Sequence, residues 1–248
     1  MKNLFKVNIF TYIFLILSML SGYFREMFIV FLILLVHELG HFFLMSIFNI
    51  SVSSITIYPY GGMIKSNMLI NTNSFKIILI SLGGIIIQSI LWVVVYILFK
   101  FNVIDIYYYE IFYKYNISII LFNLLPIYPL DGFKIINSIL EIFVSFKKSL
   151  FISFIINLLC LVLFFIYLYI FKVSNYIIII FLLVSLMSYI KDIKYLINKF
   201  YIERVIYDIK YNGLISVSSK DMMYKNKYNY IKGIGEKEYL KSKYDIGF

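Results

Sequence analysis

A run of largely apolar residues from Met27 to Phe48 is long enough to cross a bilayer as a helix, and the chain's two histidines stand inside it, in His37-Glu38-Leu39-Gly40-His41. Positions i and i+4 share one face of a helix, so the two imidazoles can hold one metal ion between them. Glu38, next to the first histidine, can then act as a general base toward water. At 1.5 Å per residue, His37 lies roughly 15 Å inside the membrane boundary at Met27. Ionisable groups at that depth are costly and mark function. A pair of core histidines satisfied by neighbours would not need ligand spacing, nor the adjacent glutamate.

The rest of the chain supports a membrane setting. It is 62% hydrophobic and 15% charged over 248 residues, with a mean hydropathy of +0.90. A soluble core does not need that much apolar surface. Six apolar stretches can be drawn: Val7 to Gly22, Met27 to Phe48, Phe75 to Phe99, Asn116 to about Phe146 with prolines interrupting it, Ser149 to Phe171, and Asn175 to Ser188 or slightly beyond. The first follows Lys2 and Lys6 but lacks a small-x-small cleavage site, so it reads as a retained helix rather than a signal peptide.

Six spans put both termini on one side. Lys2, Lys6, Lys65, Lys76, Lys147, Lys148, Lys191, Lys194, Lys199 and Arg204 fall on that side, against Arg25, Lys100, Lys114 and Lys172 on the other. The positive-inside rule makes the first side cytoplasmic. The net charge of +10 is spread over these flanks, which argues against a nucleic-acid partner and for the lipid bilayer. The single cysteine, Cys160, lies in the middle of an apolar stretch and reads as a small apolar residue; no intrachain disulfide is possible.

The expected fold class is therefore an all-α membrane protein with six transmembrane helices. A small β-hairpin or sheet element follows the histidine helix. Residues 1–197 form the membrane domain, with its core at about 27–146, and 198–248 read as a short, basic, partly ordered cytoplasmic tail.

Two histidines leave a catalytic zinc one protein ligand short. With no further histidine, the third ligand should be a carboxylate, and Asp131 is the candidate at membrane depth. It stands in Asn123-Leu124-Leu125-Pro126-Ile127-Tyr128-Pro129-Leu130-Asp131-Gly132. Pro126 and Pro129 break the helix there, and irregular backbone at that depth is tolerated where it lines a cavity. Taken alone, Asp131 would read as the N-cap of the next helix. Ile50 to Ile64 alternates, is rich in β-branched residues and includes Pro59-Tyr60-Gly61-Gly62, the pattern of a hairpin between helices.

The paired motifs, HExxH in one span and Asn-x-x-Pro-x-x-Pro-Leu-Asp-Gly in a later one, resemble the site-2 protease family of zinc intramembrane proteases. The resemblance implies one Zn2+ per chain on His37, His41 and Asp131, with Glu38 as the catalytic base. It implies a sheet after the HExxH helix whose edge takes an extended substrate, which singles out Pro59, Gly61 and Gly62, and a supporting role for Asn123. The chain departs from the family pattern at Phe133, where a second glycine is common. It departs again at Gly84 and Gln88, where the family has proline and then asparagine nearby; close helix packing explains Gly83 and Gly84 equally well.

Compact size and the lack of room for a PDZ domain between Lys100 and Tyr115 make the chain most similar to the sporulation branch, the stage IV sporulation protein FB proteases. That implies a sigma-factor precursor as the membrane-associated substrate, membrane inhibitor proteins as partners, and the outer forespore membrane as location. The tail is too short for the CBS pair common in that branch. The alternatives are a site-2 protease acting on an anti-sigma factor or peptide signal and, from another class, a non-hydrolytic membrane zinc-binding or transport protein.

Overall fold

The computed structural model describes residues 5–58, 61–172, 176–211 and 213–244. The chain is mainly helical and divides into two compact units. Residues 1–68 and 79–123 make up the first; residues 69–78 and 124–248 make up the second.

In the first unit, β1 (Phe5–Val7) leads into α1 (Ile9–Leu20) and then α2 (Phe24–Ile47), which carries the histidines. Two strands follow, β2 (Val52–Tyr58) and β3 (Gly61–Ser66). They pair antiparallel, with Ile55 opposite Ile64 and Tyr58 opposite Gly61, as the alternation of Ile50 to Ile64 predicts. β1 adds to β2 in parallel, so the sheet order is β1-β2-β3 and β3 is an edge strand. The parallel third strand has no local signal: three residues before an apolar run give no pattern to read.

Next come α3 (Ser74–Lys100) and α4 (Ile106–Leu124). α2 and α3 approach backbone to backbone. A Cβ on Gly40 would sit 2.3 Å from the Gly83 carbonyl oxygen, and one on Gly83 would sit 2.8 Å from that of Gly40. Small residues at such a crossing let helices meet closely where lipid supplies no hydrophobic drive.

The fourth apolar stretch is divided differently from the expectation. α4 starts well before Asn116, because Asp105 caps it: its Oδ1 accepts the Tyr107 N–H at 2.8 Å. Much of the Lys100–Tyr115 segment, which lies between two of the apolar stretches drawn above, is therefore helix. The remainder of the stretch forms the separate, short α5 (Asp131–Phe143) in the second unit.

That unit continues with α6 (Phe146–Ile170) and α7 (Tyr176–Ile206). α2, α3 and α6 are long and apolar enough to span a membrane. They leave large apolar side chains such as Phe43, Val93 and Leu163 exposed, a surface suited to lipid rather than water. The expected set of six spans is not reproduced as drawn: α1, at 12 residues, is shorter than the ~20 a perpendicular crossing needs.

The segment expected to be partly ordered is folded. β4 (Leu214–Val217) pairs in parallel with β5 (Tyr228–Ile231), β6 (Ile234–Gly235) adds antiparallel to β5, and α8 (Glu236–Tyr244) follows. Val217, Met223, Ile231 and Leu240 join Phe146, Leu150, Phe200, Tyr201 and Val205 in one buried cluster. Apolar residues spaced this far apart make no run in the sequence, yet they meet on the faces of α6 and α7. Buried charge pairs add to the seat. Arg204 Nη1 lies 2.5 Å from Glu236 Oε2, and Arg204 also donates to the Asn71 side chain and to the carbonyls of Tyr224, Lys225 and Lys227.

Candidate metal centre

On α2, residues 37 and 41 are one helical turn apart and both are buried. Their Nε2 atoms face each other at 3.1 Å, with the rings edge to face. Each Nδ1 is engaged from behind by α3: His37 Nδ1 lies 2.9 Å from Gln88 Oε1, and His41 Nδ1 2.7 Å from the Ile80 carbonyl oxygen. Both partners are acceptors, so both Nδ1 atoms carry hydrogen, and a neutral ring then holds its lone pair on Nε2. Two lone pairs directed at each other are satisfied by a cation bound between them.

Gly84 borders the same spot. A Cβ there would lie 2.7 Å from Nε2 of His37 and 2.7 Å from Nε2 of His41. Close helix packing accounts for Gly83; at Gly84 the missing side chain also leaves room beside both ligand atoms. Sequence reasoning missed this, because nothing near Gly84 shows which side chains it faces.

Glu38 lies on the same helix, and β3 crosses over it. The Gly62 N–H donates to Glu38 Oε1 at 3.2 Å, and a Cβ on Gly62 would meet Glu38 Cγ at 2.3 Å. Gly62 thus lies against the candidate base itself. Gly61 opens β3 opposite Tyr58. Pro59 lies outside the described residues. Asn123, near the end of α4, turns its side chain back on the helix: Nδ2 donates to the Ile119 carbonyl at 3.1 Å.

In the second unit, Asp131 is buried at the start of α5. It is the first helical residue and not the N-cap; Leu130 holds that position without a side-chain cap. Its Oδ1 pairs with Lys134 Nζ at 2.8 Å, one turn on. The turn before it is tight: a Cβ on Gly132 would lie 2.2 Å from the Leu124 carbonyl oxygen, so glycine is required for the approach. Phe133 fills a role of its own. Its ring packs edge-on to Tyr128 and Tyr189, with centroids 5.5 and 4.9 Å away, and the Tyr128 hydroxyl donates to Asp192 Oδ2 at 3.1 Å. These contacts hold the proline turn onto α7. The imidazoles of His37 and His41 and the carboxylate of Asp131 are donor types that catalytic zinc uses.

Residues 26–105 match the model of peptidase family M50. The chain is 31% identical to Stage IV sporulation protein FB of Bacillus subtilis over 208 residues, covering 80% of this chain and 70% of the relative. The chain belongs to peptidase family M50. It is also 26% identical to the zinc metalloprotease MJ0392 of Methanocaldococcus jannaschii over 124 residues, 49% of this chain and 36% of that one. The fold is similar to that of the site-2 protease from Methanocaldococcus jannaschii, with a TM-score of 0.55 at 22% identity, over 75% of this chain and 89% of the other. This M50 chain is a membrane-embedded zinc metalloendopeptidase. The non-hydrolytic alternative gives way to that membership.

Proposed function

We propose that this peptidase cleaves a membrane-associated protein, with His37, His41 and Asp131 as the ligands of one zinc ion and Glu38 as general base. The observation that carries the reading is the pair of Nε2 atoms facing each other at 3.1 Å with both Nδ1 atoms hydrogen-bonded behind them. Zinc, when bound, supplies a Lewis acid that brings the pKa of water toward neutrality and polarises a carbonyl. Glu38 takes the proton of the attacking water and returns it to the leaving amine. Gly62 keeps the Glu38 carboxylate oriented through its N–H. A transmembrane helical substrate must unwind before its peptide bonds are accessible, and the free edge of β3, from Gly61 onward, can hold it extended. Pro59 and Asn123 are the remaining residues proposed for substrate binding.

The substrate we favour is a sporulation sigma-factor precursor, with membrane inhibitor proteins as regulators; the similarity to Stage IV sporulation protein FB supports this choice. In that setting α1, α4 and α7 join the three long apolar helices to make six membrane segments. Both termini are cytoplasmic, the location is the outer forespore membrane, and the product leaves into the cytoplasm.

Co-expression of the Glu38→Gln variant with substrate tests the chemistry. Cleavage should disappear while zinc content stays at the parental level, since an amide cannot accept the proton. Near-parental cleavage would overturn the assignment of the base. Asp131→Asn should lower zinc content sharply, because a neutral amide is a poorer ligand; full zinc in that variant would move the third ligand elsewhere. A cysteine placed at Lys220, after Cys160 is replaced, should react with a membrane-impermeant reagent only from the cytoplasmic side.

A further inference from the structure

Gln88 is fully buried on α3, and both ends of its side chain are committed. Oε1 lies 2.9 Å from His37 Nδ1, and Nε2 donates to the Asn116 carbonyl of α4 at 3.0 Å. The two ends of a carboxamide have nearly the same shape, so its orientation is decided by its partners. A backbone carbonyl can only accept. It therefore holds the nitrogen end of Gln88, and the oxygen end must face His37. An oxygen facing Nδ1 requires a hydrogen on Nδ1, which leaves the ring's lone pair on Nε2, the atom that faces His41 at 3.1 Å.

We propose that Gln88 is a positioning residue for the metal centre: anchored by the Asn116 carbonyl, it selects the tautomer and fixes the ring plane of His37. The proposal rests on the reading of His37 as a zinc ligand. The two histidines are oriented by different means. His41 relies on the main-chain carbonyl of Ile80, which no substitution removes. His37 relies on a side chain reached by two hydrogen bonds in series, so its orientation depends on residue 88. The relay runs from α2 through α3 to α4, and so makes the ligand geometry depend on how those three helices pack. A shift of α4 would reach His37 through Gln88 without touching the ligand directly. Partners that hold a metal-ligating imidazole by its second nitrogen typically contribute 10- to 100-fold in metal affinity.

The test is zinc competition against a chelator of known affinity, on full-length protein purified in detergent. Gln88→Met keeps the length and volume but loses both hydrogen bonds; Gln88→Ala removes the side chain. Both should bind zinc about 10- to 100-fold more weakly than the parent. Gln88→Glu keeps an acceptor toward His37 but loses the donor to the Asn116 carbonyl, so it should bind zinc more tightly than Gln88→Met. Parental affinity in Gln88→Met and Gln88→Ala would overturn the proposal. So would an equal loss in Gln88→Glu and Gln88→Met, which would reduce residue 88 to packing. His37→Ala separates this proposal from the reading beneath it: zinc bound by that variant as tightly as by the parent would remove His37 from the ligand set. If the substitutions prevent folding, nitrogen NMR of the histidine side chains in the zinc-loaded parent decides the question. A hydrogen on His37 Nδ1 with coordination through Nε2 is expected, and coordination through Nδ1 would overturn the proposal.

Discussion

Glu141, near the end of α5, and Lys225, in the folded C-terminal segment, close a buried ion pair at 2.6 Å. The Glu141 carboxylate also accepts from Ser74 Oγ and Asn137 Nδ2, both at 2.9 Å. The C-terminal segment is therefore tied by charge to the helix whose first residue is Asp131.

Removing one partner of a buried pair leaves the other charge uncompensated, at a cost of about 3–5 kcal/mol. Lys225→Met should therefore destabilise the detergent-solubilised protein by roughly that amount in SDS titration. The double variant Glu141→Gln/Lys225→Met should recover most of the loss, because no charge is then stranded. A Lys225→Met variant of parental stability would show that the pair is not closed in solution.

Gly84 has no room for a side chain. Its Cβ would lie 2.7 Å from both histidine Nε2 atoms, a distance that forces the rings or the helices apart. Gly84→Ala should lose zinc by metal analysis while keeping its helical circular dichroism. Gly83→Ala meets Leu44 Cδ1 at 2.7 Å and the Gly40 carbonyl oxygen at 2.8 Å, so it should lower stability before it lowers zinc content.

Gly62 should behave differently from both. Its Cβ would meet Glu38 Cγ at 2.3 Å, on the base and away from the ligand atoms. Gly62→Ala should keep its zinc and lose cleavage, most of it in kcat, because the carboxylate is displaced. Loss of zinc in this variant, measured beside the cleavage assay, would contradict the separation of base and ligands.

Stability should also depend on pH through Asp221. The hydrogen bond from Lys147, at 2.9 Å, holds its carboxyl below the ordinary carboxylate range, against a smaller upward push from desolvation. A depressed folded-state pKa contributes stability that is fully present above the unfolded value near ~4. That stability is lost as pH falls from there through the folded value. Both side chains are half exposed, so the contribution is under about 1 kcal/mol and is screened by salt. Asp221→Asn should be slightly less stable than the parent at pH 7 and match it once pH is low enough to protonate the parental carboxyl.

The zinc chemistry was legible in the chain because it is local. A helix places residues four apart on one face whatever surrounds it, so His37, Glu38 and His41 declare their arrangement by spacing alone. The antiparallel β2–β3 pair was legible for the same reason, being one alternating stretch folded on itself. What spacing cannot contain is anything that depends on where another element lies. Asp105 starts a helix ahead of the fourth apolar stretch. Arg204, Glu236, Glu141 and Lys225 look like surface charges until the fold buries and pairs them. Gly84 looked like a packing residue, and Gln88 like a replacement for a family asparagine, until α3 set both against the histidines of α2. Hydropathy and spacing are enough to place the chain in a membrane and to show a histidine pair with a glutamate beside it. How those rings are oriented depends on helix packing, because each imidazole is held by atoms from another helix, and the direction of a hydrogen bond is set by its partner.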